Sequence, residues 1–253
     1  MSPLLQLKEG ECLKYMGSKA RLSKDIAPII NNIIKDKQIN TYIEPFVGGA
    51  NMIDNINCDN KIGADNNEYL IEMWKGLQGG WNPPKSLTRE EYNDIKNNKN
   101  NYPKELVAIA GFCATYNAKW FGGYAGVVTT KIGTERNYYD ESIRNIKKQV
   151  PKLMDVEFIF ADYQYFTGYK DTLIYCDPPY QSTTKYDSSN GFDHDAFWNW
   201  VRRMSKYNVV LVSEYDAPDD FKCIYEKTLT TTLDKNSRKK DTEKLFVHRN
   251  KEI

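Results

Sequence analysis

Histidine is nearly absent from this chain: His194 and His248 are the only two in 253 residues. With so few, a structural zinc site is not expected. Cysteine does not fill the gap. Cys12, Cys58, Cys113, Cys176 and Cys223 are odd in number and include no CxxC pair, so their spacing encodes neither a zinc ligand set nor a disulfide framework. Each reads as a small buried hydrophobe in a reducing compartment. Long apolar runs are missing too; none approaches the roughly 18 residues of a membrane helix. Met1 to Glu9 lacks the basic-then-apolar design of a secretory signal, so the expectation is a cytoplasmic protein with no membrane partner. The P-loop and G-x-G-x-x-G spacings do not occur, which disfavours nucleotide enzymes that grip phosphates in those ways. Net charge is only +1 and does not announce a polyanion partner. The distribution says slightly more: residues 76 to 150 hold 11 Lys or Arg against 7 Asp or Glu, a net of +4. That mild asymmetry is compatible with a nucleic-acid-facing segment on a neutral body.

What is present is a sizeable apolar supply, 40% of residues with 18 Tyr and 10 Phe, patterned as alternating strands and helices. Leu22, Ile26, Ile29, Ile30, Ile33 and Ile34 form a helical stripe over 21–36. Thr41-Tyr-Ile43 is a short strand entering Glu44-Pro45. Gly48-Gly49 make a turn, and 51–57 reads as the start of a second helix. Ile62 and Ala64 lie on a strand ending at Asp65, and Asn66 or Asn67 caps a helix through Leu70, Ile71 and Trp74. This β-turn-α-β-α order opens a doubly wound α/β sheet. The glycines and prolines of 76–84 break it and mark an insertion. Within the insertion, Thr88 with Glu91 spells a capping box. An apolar helix spans about 104–116, an aromatic, glycine-rich stretch covers 117–126, and a helix runs over 139–150. The α/β pattern resumes with strands at 156–160, 172–176 and 208–213 and a helix at 194–205. Residues 222–231 and 244–249 pair as an antiparallel hairpin across 234–241. The expected organisation is a catalytic, cofactor-binding domain in two parts, 1–75 and 151–253, around an inserted recognition segment, 76–150.

The sharpest local signal is Asp177-Pro-Pro-Tyr180, directly after the strand 172–176. It places a carboxylate at the carboxyl edge of the sheet, where open α/β folds bind ligands. Two prolines stiffen the turn and remove two backbone donors, and a tyrosine closes it with a flat face. Such a site suits a planar base carrying an amino group: the carboxylate and a turn carbonyl accept from the amine, and the ring stacks on the base. A plain strand followed by a Pro-Pro turn is the blander alternative.

This stretch resembles motif IV of the amino-methyltransferases that act on DNA bases, and the fuller pattern resembles the Dam-type (D12 class) DNA adenine N6-methyltransferases. Lys14-Tyr-Met-Gly-Ser-Lys19 is similar to their N-terminal motif, and Glu44-Pro-Phe-Val-Gly-Gly-Ala50 to their glycine-rich cofactor motif. Asp65 stands where they carry a ribose-binding acid, and Asp162-Tyr163 where an acidic-aromatic pair flanks the cofactor adenine. The likeness covers roughly residues 12 to 249. It implies a Rossmann-like class I methyltransferase fold, a mixed seven-stranded sheet with helices on both faces and a small, mostly helical insertion. It implies S-adenosylmethionine as cofactor, held by Tyr15, Lys19, Glu44, Phe46, Gly48, Gly49, Asp65, Asp162 and Tyr163. Asp177, Pro178, Pro179 and Tyr180 are the implied catalytic set, and Thr183, Lys185 and Tyr186 belong to the loop that closes near the flipped base. The expected reaction is methylation of adenine N6 at a specific site in duplex DNA. Asn117, Lys119, Trp120, Tyr124, Arg136 and Asn137 are the expected target readers, mixing base-edge readers, phosphate ligands and wedges; Lys235, Arg238, Lys239 and Lys240 form a second basic cluster, either gripping phosphates from a hairpin loop or making a plain exposed turn.

Lys119-Trp-Phe-Gly-Gly-Tyr124 departs from the family's usual glycine-phenylalanine-asparagine stretch, so a GATC target is not carried over. No Pro-Cys step exists, which argues against cytosine C5 chemistry. No metal and no covalent enzyme intermediate is required. The expected setting is a bacterial cell or phage-infected host. The expected state is a monomer; a dimer on DNA stays open, and a cognate restriction enzyme is compatible with the reading but not required by it. RNA or a protein amide as substrate, and a silent DNA-binding protein, are the alternatives.

Overall fold

A computed structural model describes residues 13, 19–129, 133–180, 191–234 and 237–253; of residues 117, 229–234 and 237–241 it describes the backbone alone. The first helix, α1 (Ser23–Asp36), presents the isoleucine stripe to the core: Ile26 and Ile30 are essentially inaccessible. Strand β1 (Thr41–Glu44) follows, then β2 (Asn60–Asp65) and α2 (Glu68–Gln78), which is capped by Asn67 through its side-chain oxygen and the Leu70 N–H. The helix expected over 51–57 is instead a single 3-10 turn, Ile53–Asn55. The reason lies at Asn51, which turns inward and donates to the Leu13 carbonyl at 3.2 Å rather than capping a helix.

Helix α3 (Arg89–Asn97) opens with the expected reciprocal capping box between Thr88 and Glu91. The next helix, α4 (Lys104–Ala108), passes into five residues of π-helix, Ile109–Cys113. Gly111 sits there because a Cβ would run into the Trp120 ring. Two three-residue strands that the sequence does not announce, β3 (Val127–Thr129) and β4 (Glu135–Asn137), pair antiparallel as a small separate sheet. Helix α5 (Tyr138–Gln149), capped by Asn137, leads to β5 (Val156–Phe160). The chain continues through β6 (Leu173–Cys176), α6 (His194–Met204), β7 (Val209–Glu214), β8 (Phe221–Asp234) and β9 (Ser237–His248).

The main sheet has seven strands in the order β5-β2-β1-β6-β7-β9-β8, flanked by helices on both faces. Strands β1, β2, β6 and β7 run parallel where they pair, and β9 joins β7 and β8 antiparallel. This is the mixed sheet of the class I methyltransferase fold. The order reverses between β1 and β6, the switch point where α/β sheets place ligands. The terminal hairpin is longer than its sequence suggests. Its strands reach Asp234 and Ser237, so Arg238, Lys239 and Lys240 lie in β9 and not in a loop. No helix among the described residues is long and apolar enough to cross a membrane.

The chain forms two compact units. One comprises Met1–Pro28, Val47–Ile56 and Asp65–Phe160; the other comprises Ile29–Phe46, Asn57–Ala64 and Ala161–Ile253.

Candidate active site

In the first unit the glycine turn is fixed from three directions. Gly48 has φ +48° and Ala50 φ +54°, a left-handed backbone that costs nothing for glycine and something for alanine. Asp65, at the end of β2, accepts the Gly48 N–H on Oδ2 and the Asn67 N–H on Oδ1, both at 3.0 Å. Trp74, from α2, donates its indole N–H to the Gly48 carbonyl at 3.2 Å and stacks on Phe158. Gln149, fully buried at the end of α5, donates to the carbonyls of Gly49 (3.0 Å) and Ala50 (3.1 Å). Burial pushes the Asp65 carboxyl up from 3.8 to about 6, against the opposing pull of amides from Gly48, Asn67 and Asn66. It is therefore still ionised at neutral pH.

The same unit holds the residues expected to read DNA. Arg136 is exposed and forms a bidentate pair with Glu141, at 2.7 and 2.8 Å, while lying over the Tyr138 ring. Asn137 caps α5 through the Asp140 N–H. Tyr124 donates its hydroxyl to the Leu87 carbonyl at 2.6 Å, with Arg89 over its ring. Trp120 is half-buried among Tyr69, Phe112 and Phe121. Lys119 is exposed, whereas Lys19 is buried just before α1.

The second unit carries the Asp177 turn. Strand β6 is buried along its length and is braced from below: the Asn208 side chain accepts from the Thr172 N–H and hydroxyl and donates to the Tyr169 and Met204 carbonyls. Asp177 emerges half-buried, and Tyr180 closes the turn at 8% exposure. The Tyr180 hydroxyl donates to Glu243 of β9 at 2.7 Å and lies 3.3 Å from Ser213 Oγ of β7. Its ring meets Tyr215 edge-on, with centroids 4.6 Å apart. Burial, then the charges of Asp177 and Glu243, hold its pKa far above the ordinary tyrosine value, so the hydroxyl stays a donor and is no base. Cys176 is likewise held as a thiol by burial. Tyr175 is buried with no hydrogen-bond partner for its hydroxyl among the described residues.

Neighbouring β1 pairs with β6 at Tyr42–Leu173 and Ile43–Ile174 and ends at Glu44, whose buried carboxylate accepts the Tyr42 hydroxyl at 2.6 Å. Phe46, two residues on, stacks with Tyr163 at 5.8 Å in a cluster with Phe192 and Phe197. Asp162 is exposed and caps a 3-10 turn, Tyr163–Gly168, through the Gln164 N–H.

Tyr15, Thr183, Lys185, Tyr186 and Lys235 lie outside the described residues, and of Asn117, Arg238, Lys239 and Lys240 only the backbone is described. Sequence reading missed Trp74 and Gln149 at the glycine turn and Ser213, Tyr215 and Glu243 around Tyr180. Glu214-Tyr215 at a strand end beside the switch point was the one available cue.

A family model described as D12 class N6 adenine-specific DNA methyltransferase matches residues 15–240. Among curated proteins, the modification methylase StsI of Streptococcus sanguinis is 28% identical over 223 residues, which cover 78% of this chain and 32% of that protein. The type II methyltransferase M.FokI of Planomicrobium okeanokoites is 23% identical, over 78% of this chain and 33% of its own length. The chain thus spans about a third of these two relatives. The type II methyltransferase M.MjaIII of Methanocaldococcus jannaschii is similar over most of both lengths: 26% identical, over 85% of this chain and 87% of that one.

Proposed function

Because the chain belongs to the family of D12 class N6 adenine-specific DNA methyltransferases, we propose that it transfers a methyl group from S-adenosylmethionine to the exocyclic amine of an adenine in duplex DNA. The observation that carries this reading is the Asp177 turn: a half-buried carboxylate on a proline-stiffened corner, followed by a tyrosine whose hydroxyl is tied to Glu243. With its hydroxyl committed, Tyr180 has only its ring to offer, which is the role a stacking platform for an extruded base requires.

Asp177 Oδ and the Pro178 carbonyl accept the two amine hydrogens. This draws the nitrogen lone pair out of the ring plane and orients it for in-line attack. A proton then leaves the nitrogen for solvent, and no covalent enzyme intermediate forms. S-adenosylmethionine supplies the electrophilic methyl group on a sulfonium. The residues of the glycine turn fit that cofactor. Asp65 takes backbone amides from Gly48, Asn67 and Asn66, and a carboxylate has about four acceptor positions, so one is left for the ribose diol. Gly48 and Gly49 admit close approach of the amino-acid end. The ring pair Phe46 and Tyr163, with Asp162, serves the adenine, and Lys19, Tyr15 and Glu44 complete the set.

Residues 76–150 are the target-reading segment in this proposal. Arg136 exchanges Glu141 for DNA, Asn117, Lys119, Trp120, Tyr124 and Asn137 share the reading, and the β9 cations Arg238 and Lys239 meet phosphates. The deciding experiment offers labelled S-adenosylmethionine with duplex DNA, RNA and protein in parallel, followed by identification of the modified group. N6-methyladenine in DNA is the expected product. Label appearing only in RNA or in a protein amide would overturn the substrate assignment, and no transfer to any acceptor would overturn the enzyme assignment.

A further inference from the structure

Gln149 is the last residue of α5 and is wholly buried, yet every polar atom of its side chain is used. The two Nε2 hydrogens are shared among the Gly49 and Ala50 carbonyls and Asn51 Oδ1, at 3.0, 3.1 and 3.3 Å. Oε1 accepts the Leu13 N–H at 3.0 Å, and Asn51 returns a bond to the Leu13 carbonyl. One amide side chain therefore holds the glycine turn, including the left-handed Ala50, together with the chain just ahead of the Lys14–Lys19 motif. None of these partners requires a glutamine for packing; a leucine would fill similar space. The choice of an amide points to the bonds themselves.

The helix that delivers Gln149 begins where β4 ends, twelve residues earlier in the same unit. Strand β4 ends at Asn137, which caps α5, and Arg136 pairs with Glu141 in its first turn. Twelve residues of α-helix span about 18 Å, and a helix moves as a rod. We propose that Gln149 is a positioning residue that couples the target-reading segment to the cofactor turn: a shift of α5 when Arg136 engages DNA is delivered to Gly49 and Ala50. This rests on the functional reading above. By linkage, DNA then strengthens cofactor binding by the same factor as cofactor strengthens DNA binding.

The test uses the full chain, with S-adenosylhomocysteine as probe, titrated calorimetrically with and without a duplex the enzyme methylates. Two variants are compared. Gln149→Leu removes all four bonds. Gln149→Glu keeps the shape and the acceptor for Leu13 while removing the amide donors to the glycine turn. Lys206→Ala, exposed and outside the target-reading segment, is the control. Wild type and Lys206→Ala should bind the probe several-fold more tightly with DNA present. Both Gln149 variants should lose that enhancement, and their DNA-free affinity should fall about tenfold. If Gln149→Leu does not fold, Gln149→Glu decides alone. Hydrogen exchange of the peptide covering 47–52 provides a second readout, protected on DNA addition in wild type and unprotected in the variant. An undiminished DNA enhancement in a folded Gln149 variant overturns the coupling while leaving the function intact. A wild-type protein that binds no probe overturns both.

Discussion

Replacing Asp65 with asparagine should flatten the pH dependence of stability and weaken cofactor binding. The carboxyl is buried and its pKa is raised from 3.8 to about 6, with desolvation the largest cause. A folded-state pKa above the unfolded one means the folded chain holds the proton more tightly. Its stability is therefore highest below the unfolded pKa and declines as pH rises through the window between the two values. The shift corresponds to about 3 kcal/mol at full ionisation, of which about 2 kcal/mol falls between pH 4.5 and 7.5. Asparagine does not titrate, but its amide nitrogen replaces one of the two oxygens that accept the Gly48 and Asn67 amides, a cost that is the same at every pH. Urea unfolding should therefore show the variant gaining about 2 kcal/mol on the wild type between pH 4.5 and 7.5, whatever its starting stability. Calorimetry at pH 7.5 should show S-adenosylhomocysteine binding weakened by about tenfold or more, because a neutral amide replaces the charged acceptor of the ribose diol. Parallel pH dependence in the two proteins would refute a desolvated, ionised Asp65. Unchanged affinity would remove it from the cofactor site whatever its effect on stability.

Asp177→Ala should abolish most methyl transfer in single-turnover assays while preserving cofactor affinity; a loss smaller than about tenfold would reject it as the group that orients the amine. Tyr180→Phe should keep most of the rate and Tyr180→Ala should not, because the ring and not the hydroxyl meets the base; equal losses would put the function in the hydroxyl. Asn208→Ala should cost about 2–3 kcal/mol in urea unfolding, since it removes the acceptor of the Thr172 N–H and hydroxyl and the donor to the Tyr169 carbonyl under β6; a cost below about 1 kcal/mol would mean water replaces the bracket.

The parts of the molecule legible in its sequence are those with local causes. The capping box at Thr88 and Glu91 needs two residues three apart, and the structure builds it as spelled. The strand before Asp177 and the glycine turn before a buried strand ending in an acid follow from short-range patterns. The contacts that fix the two turns do not. Gln149 reaches Gly49 across 100 residues and Tyr180 reaches Glu243 across 63, and nothing near either glutamine or glutamate distinguishes it from a surface residue. The β3–β4 pair escaped notice because three-residue strands carry too little alternation to register. The long hairpin was underestimated for a related reason: its threonines and lysines read as loop, although both strands of a two-stranded ribbon can face water and need no apolar face.

That ribbon has an evolutionary consequence. Strand β7 pairs with β9 only at Lys244 to Val247, whereas β8 and β9 continue pairing from Thr228–Thr242 out to Asp234–Ser237. Among the described residues these outer rungs have no third strand beside them. Side chains alternate with a period of two, so one whole rung pair added to or removed from the tip leaves every inner residue facing as before. The seven-stranded core is then indifferent to the length of its own arm. An insertion or deletion of whole rungs near residues 235–236 would change the length of the ribbon without re-solving the fold.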